Sequence, residues 1–389
     1  MRATDERHSL TQGLVAIPQR LRLRLLRQLA SLALIDRRHI ACAITTKTGQ
    51  IVTIDTPARL GIVRAVVRAV LDYFNGNFAP GDVIFTNDPF SGGVHVQDLS
   101  LVKPLFAGSE FVGYGVVQVP LADIGGMALG SYYPLAHEVW AEGIRITPTK
   151  LYRGGALQTD ALTMLRLNSR LPHLVDTDLE VMRGALEFCQ TEVAVVVGQG
   201  THAGYEQVQL DILADTDLQV RTKINSLARG GWSSKSGAVH SCQTPADEVE
   251  YRVAVQLSVT DGAVQLDFAG SSAAAPGFIN STAAATTAAA LMPFFSAWPA
   301  IPVNDGFCRA FSLLIPEDSF LHAKLPTSVG WSPYEPSLTV AQTVASVLSQ
   351  SQTAQVPLKP VENAFIPPAL AFVVTGCGHP GCPFPAVSR

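Results

Sequence analysis

Charge is what this sequence has least of. Asp, Glu, Lys and Arg together make up 15% of its 389 residues, against about 25% in an ordinary soluble domain. The net charge is −4 and the acidic residues are scattered, so there is no basic field of the kind a phosphate backbone requires, and nucleic acid is not an expected partner. The one arginine-rich stretch, residues 20–27, is interleaved with Leu21, Leu23, Leu25 and Leu26, the pattern of a packed amphipathic helix with solvated arginines. With 47% hydrophobic residues, the chain has much apolar surface to bury, either internally or against partner subunits.

Other absences narrow the field. No long uncharged run reads as a membrane span, because the best candidate, residues 278–302, is broken by Pro293 and Pro299. The first residues carry Asp5 and Glu6 and no apolar core, so no secretory signal is expected. The six cysteines form no dense framework, which suits a reducing compartment and a cytoplasmic protein. There is no Walker-type loop, no GxGxxG after a strand and no GxSxG. If a nucleotide drives chemistry here, another polypeptide binds it.

What is present reads as an α+β protein of mixed sheets and packed helices in two domains. The expected division is 1–228, a Gly/Ser/Lys-rich linker or long loop at 229–245, a second α+β domain at 246–355 and a proline-rich tail at 356–389. Periodicity predicts helices over 10–34, 57–74, 178–197, 205–227, 283–295 and 338–349. Alternation and turn residues predict hairpins over 40–54 and 250–268, the second turning at Asp261-Gly262. Short strands are expected at 83–86, 99–106, 111–119 and 310–315.

Two glycine-rich segments carry the candidate chemistry. In GDVIFTNDPFSGGVHVQD (residues 81–98), a strand delivers Asn87 and Asp88 to a turn, and Gly92 and Gly93 let the chain fold back to present His95 and Asp98. Carboxylates and an imidazole so close together suit a divalent metal, or a base with its orienting acid; equally, Asp88 could simply cap a turn. In LADIGG (residues 121–126), Asp123 precedes Gly125 and Gly126, and Glu138 follows downstream. The expectation is that both loops line one chamber. Asp88, His95, Asp98 and Asp123 are the catalytic candidates, and Asn87, Gly92, Gly93, Gly125, Gly126 and Glu138 the substrate-binding ones. Asp88 and Asp123 are the metal candidates. Cys377, His379 and Cys382 offer three further metal-type ligands within six residues, without a fourth.

These segments, in order, resemble the hydantoinase B/oxoprolinase family. The resemblance rests on RRHIACAI (37–44), the 81–98 segment, ADIGG, EVWAEGIRITPTKLYRGG (138–155), LDFAGSS, PGFINST and IPVNDGFCRAF. It implies an α+β subunit of an ATP-dependent complex acting on a cyclic amide such as a lactam, a hydantoin or 5-oxoproline. ATP would sit on a hydantoinase A-type partner, and this chain would supply part of a sheltered reaction chamber. It also implies a divalent metal, but family members carry two histidines where this chain has Pro120 and Leu121, which removes an expected ligand. The rival readings are a subunit of an acetone or acetophenone carboxylase-type complex and a non-catalytic scaffold.

Overall fold

The computed structural model describes residues 2–242 and 248–351; the tail with Cys377, His379 and Cys382 lies outside the described residues. In chain order the elements are α1 (Arg2–Gln28), β1 (Ala41–Thr45), β2 (Ile51–Ile54), α2 (Leu60–Phe74), β3 (Val83–Thr86), β4 (Asp98–Ala107), β5 (Glu110–Pro120), β6 (Thr149–Arg153) and β7 (Ala156–Leu157). There follow α3 (Thr159–Asn168), α4 (Pro172–Val197), α5 (His202–Ile224), β8 (Gly230–Cys242), β9 (Glu248–Thr260), β10 (Ala263–Asp267), α6 (Ala283–Ala297), α7 (Asp305–Cys308), β11 (Phe311–Leu314) and α8 (Glu335–Gln350). One sheet has the order β2-β1-β5-β4-β3-β6-β7 and the other β11-β10-β9-β8. Among the described residues only β10 and β11 pair in parallel; the other neighbours are antiparallel. The fold is α+β.

The large sheet is covered on both faces, which is why β4 and β5 read as near-continuous apolar runs. Leu99, Leu101, Leu105, Val117 and Val119 point into a core shared with α1 and α4. Val102, Tyr114 and Val116 point the other way, against Val63, Val66, Val67 and Val70 of α2. Side chains alternate along a strand, so Asp98, Ser100 and Gln118 fall on the α2 side, with Ser100 and Gln118 paired across the ladder. A short 3-10 turn, Pro57–Arg59, leads into α2 with proline at its start, where the missing N–H costs nothing. Asn75 ends the helix in a left-handed conformation.

The second half of the chain is built onto α2. Gly61 lies so close to α6 that a Cβ there would sit 2.9 Å from the Ala288 nitrogen. Asp305 of α7 pairs with Arg64 of α2 at 2.6 Å and accepts from the Ile51 amide of β2 at 2.5 Å. The small sheet packs with α6 and α8 around Phe268, Phe294, Phe307 and Phe320.

One expectation is corrected. Residues 229–245 are for the most part not a linker: β8 pairs along its length with β9 at the edge of the small sheet. An edge strand needs few apolar side chains because its backbone ladder holds it, and its Gly, Ser and Lys content hides it from a search for periodicity. No helix among the described residues is long and apolar enough to cross a membrane.

Candidate functional site

At the end of the large sheet, on the α2 side, three buried side chains meet. His39 Nδ1 is 3.2 Å from Asp98 Oδ1, His95 Nε2 is 3.3 Å from the same oxygen, and the two ring nitrogens are 3.4 Å apart. His39 comes from the short turn before β1, His95 from the glycine loop, and Asp98 from the first position of β4. The β1–β5 register pairs Ala41 with Gln118, and the β5–β4 register pairs Pro120 with Asp98. Carried two residues further, the first register brings His39 towards Pro120. Pro120, where the family resemblance expects histidine, thus stands beside Asp98, and the second imidazole comes from His39 instead.

The outer partners set which atoms face inward. Gln97 donates its amide to the Gly130 carbonyl at 3.1 Å, so its oxygen faces His95 Nδ1 and accepts that N–H. The lone pair of His95 Nε2 is then directed at the cluster. His39 Nδ1 is within hydrogen-bond reach of Asp98 Oδ1 at 3.2 Å, whereas Nε2 lies 3.8 Å from Asp36 Oδ2, so without a cation the Nδ1–H donates to Asp98. Such partners orient imidazoles in metal sites in the same way. The second oxygen of Asp98 accepts from the buried Arg59 guanidinium, which also donates from Nε to Gln118 Oε1 at 3.0 Å. Burial pushes the Asp98 carboxyl up, but Arg59, His95 and His39 outweigh it and hold it well below the usual carboxylate range. Burial lowers the His39 imidazole, against the pull of Asp98.

The His39 Nδ1 proton bridges to Asp98 Oδ1, and a cation held by these two atoms and His95 Nε2 would take that proton's place. The three ligand atoms fall within 4.8 Å of one another, and two imidazoles with one carboxylate suit a divalent transition metal. Arg59 neutralises the outer oxygen of Asp98 and leaves the inner one available. The donor set therefore fits a metal.

Aromatic side chains wall the cluster. His39 and His95 rings lie 5.4 Å apart, Tyr132 packs on His95 at 5.8 Å, Tyr334 on His39 at 5.7 Å, and the tyrosines meet at 5.8 Å. Their hydroxyls are 2.5 Å apart. Tyr132 belongs to the first half of the chain and Tyr334 to the second, so closure of the wall depends on the joint between the two sheets' units. Glu142 secures that joint: its Oε1 accepts from the Val329 and Gly330 amides at 2.9 and 2.6 Å and from the Ser328 hydroxyl. Its Oε2 is buried without a partner among the described residues. Burial pushes this carboxyl up to about 7, against the hydrogen bonds from Ser328 and Gly330.

Of the residues singled out in the sequence, His95 and Asp98 lie in the cluster, and Asp88 and Asp123 lie outside it. Asp88 caps the short turn that follows it, accepting from the Phe90 amide at 3.1 Å and the Ser91 hydroxyl at 2.7 Å, with Arg145 at 3.4 Å. Asp123 ties its own glycine turn to the start of α4: it accepts from the Gly130 and Arg170 amides at 3.0 and 2.7 Å and pairs with the Arg170 guanidinium at 3.2 Å. Asn87 staples strands, donating to the Val96 and Ile144 carbonyls and accepting from the Ile146 amide. Gly93 and Gly125 shape backbone crossings. Gly126, at φ 79°, runs so close to Glu142 that a Cβ would lie 2.5 Å from its carbonyl carbon. Glu138 is exposed and bridges to Thr327. Gly92 borders a surface groove of about 830 Å³ that none of the three cluster residues lines.

His39, Arg59, Gln118, Tyr132 and Tyr334 are the functional candidates that reading the sequence did not single out. His39 had one signal, its place in RRHIACAI at the mouth of a strand. Nothing local ties it to His95, 56 positions away.

The chain is similar to known proteins over most of its length. The model of the family described as Hydantoinase B/oxoprolinase matches residues 9–363. Caprolactamase subunit beta of Pseudomonas jessenii is 29% identical over 309 residues, which is 78% of this chain and 52% of that protein. The solved structure of the ATP-dependent caprolactamase from Pseudomonas jessenii superposes with a TM-score of 0.83 at 23% identity, over 90% of this chain and 60% of that one. A nucleotide-free acetone carboxylase gives a TM-score of 0.79 at 17% identity, over 90% of this chain and 47% of that one. The chain thus spans about half the length of such relatives.

Proposed function

The chain belongs to the hydantoinase B/oxoprolinase family, and on that premise we propose that it is one subunit of an ATP-dependent complex that opens a cyclic amide, with ATP bound and cleaved by a hydantoinase A-type partner. The observation that carries this reading is the convergence of His39 Nδ1, His95 Nε2 and Asp98 Oδ1 in a buried, aromatic-walled site. Two imidazoles and a carboxylate buried at 3.2–3.4 Å from one another, with the outer nitrogen of His95 and the outer oxygen of Asp98 already engaged, favour a site over a scaffold. A divalent cation held by these atoms would act as a Lewis acid on a carbonyl oxygen or on a water.

The chain's own residues do the rest. Arg59 fixes Asp98 by its outer oxygen, so the inner oxygen keeps one direction. Gln97 keeps the His95 Nε2 lone pair directed at the cluster, and Asp98 holds the His39 ring through its Nδ1–H. Tyr132 and Tyr334 exclude bulk water from one side, as an activated carbonyl requires before its intended attack. Glu142 holds the 328–330 loop, and with it the Tyr334 side of the wall, against the first half of the chain.

Reconstitution with an A-type partner tests the proposal. The expected result is ATP-dependent release of an amino acid from a lactam, with one metal ion per chain, and a drop of about 100-fold or more in Asp98→Asn. ATP cleavage that requires bicarbonate and yields a carboxylated product would replace the hydrolytic reading with a carboxylase. A complex that assembles and turns over nothing would leave a scaffold.

A further inference from the structure

A cavity of about 160 Å³ opens between the start of α2 and the helices α6 and α8. Its polar lining comes from His39 and Arg59, both members of the site just described, together with Arg38 and Ser337. Its body is apolar, with Ala58, Ile62 and Val94 on one side and Ala285, Ala288 and Met292 on the other. Ile62, Val94, Ala285 and Ala288 also form a small buried apolar cluster of their own. The space exists because α6 presents alanines where larger side chains would fill it.

We infer that this cavity takes the hydrocarbon part of a small, uncharged aliphatic carbonyl compound, a lactam without a carboxylate, with its polar end towards His39 and Arg59. This rests on the function proposed above and narrows it. Size is the first argument: pockets for drug-sized ligands run to roughly 300–1,000 Å³, so only a molecule of a few carbons fits here. Charge is the second. The two cations in the lining are already engaged, Arg38 with Asp36 at 2.6 Å and Arg59 with Asp98. A substrate carboxylate would therefore enter an apolar space whose guanidiniums are neutralised, and a buried anion without its own partner is strongly disfavoured. An amide carbonyl asks for much less, a single donor or a Lewis acid at the polar end.

A matched pair of ligands tests this, because 2-pyrrolidinone and 5-oxoproline differ only in the carboxylate. The purified chain is titrated with each, and with caprolactam, by calorimetry or ligand-detected NMR. The lactams are expected to bind, and 5-oxoproline to bind about tenfold or more weakly than 2-pyrrolidinone. Ala285→Leu, which fills the cavity, is expected to weaken lactam binding by about tenfold or more. Met292→Ala, which lengthens it, should shift the preference towards caprolactam by about threefold or more.

Equal binding of 5-oxoproline and 2-pyrrolidinone overturns the inference, as does no lactam binding at all. A folded Ala285→Leu that binds normally overturns it too; if that variant does not fold, an unshifted size preference in Met292→Ala does so. Turnover separates this from the proposed function. Cavity-dependent binding in a reconstituted complex that turns over no lactam sinks the function and leaves the cavity. Turnover that favours 5-oxoproline and ignores Ala285→Leu does the reverse.

Discussion

Asp98 and Asp123 are both fully buried, and both lie beside glycine-rich loops of the same half of the chain, yet their surroundings are opposite. Asp123 faces donors: the amides of Gly125, Gly130 and Arg170, the Ser169 hydroxyl and the Arg170 guanidinium use up its oxygens. Asp98 gives one oxygen to Arg59 and turns the other towards two ring nitrogens. A carboxylate surrounded by backbone N–H groups is saturated and organises a turn. A carboxylate whose inner oxygen meets imidazole nitrogens through an exchangeable proton can give that proton up to a cation. By this measure Asp88, which caps its turn through Phe90 and Ser91, belongs with Asp123.

The largest effect that would sharpen this contrast is expected for Asp98→Ala. It strands a buried guanidinium beside two imidazoles, which should cost about 3–5 kcal/mol of stability and abolish metal uptake, as read by urea denaturation and metal analysis. His39→Ala comes next: the Asp98–Arg59 pair survives, so the fold should hold while metal affinity drops by about 100-fold or more. Asp123→Ala should lose about 2 kcal/mol through its unpaired amides and keep its metal affinity. If that variant melted normally and bound no metal, the distinction between the two aspartates would be gone.

Glu142 offers a smaller and pH-dependent test. Its carboxyl titrates at about 7 in the fold against an ordinary value of 4.5, so over that interval the folded chain keeps a proton that the unfolded chain has released. Its contribution to stability is therefore complete below about 4.5 and declines as pH rises towards about 7. Glutamine stays neutral and can present its carbonyl to the same three donors. Glu142→Gln should thus gain stability relative to the parent between pH 5 and pH 8, on the order of 2 kcal/mol, in urea titrations with a chelator present. A difference that does not change with pH would show that Glu142 is ionised throughout. Smallest of all, Gln97→Ala frees the outer nitrogen of His95 and should weaken metal binding by about tenfold, with unfolding little changed.

Much of the architecture was legible because its signals are local. The 83–86 strand, the hairpin turning at Asp261-Gly262 and the helices ending in α8 all follow from turn residues and apolar period. β8 escaped because an edge strand rich in Gly, Ser and Lys carries no such period, and its partner β9 alone tells where it runs. The site divides in the same way. His95 and Asp98 sit three residues apart on one loop and were legible as a pair. His39, Arg59 and Gln118 were not, because nothing near them in the chain announces a ligand, an ion pair or a hydrogen bond to that loop.

From residue order alone came the element types, the absence of any nucleotide loop of familiar pattern, the family resemblance and the knowledge that a histidine and an aspartate share the end of a glycine loop. The tertiary structure decided which acidic groups are saturated by backbone amides and which face imidazoles. It did so through strand register: the pairing of β1 with β5 and of β5 with β4 sets His39, Pro120 and Asp98 at the ends of neighbouring strands. Hydrogen-bond ladders fix that register over the whole sheet, so a side chain 59 positions away comes within 3.2 Å of Asp98, a fact no local stretch of sequence contains.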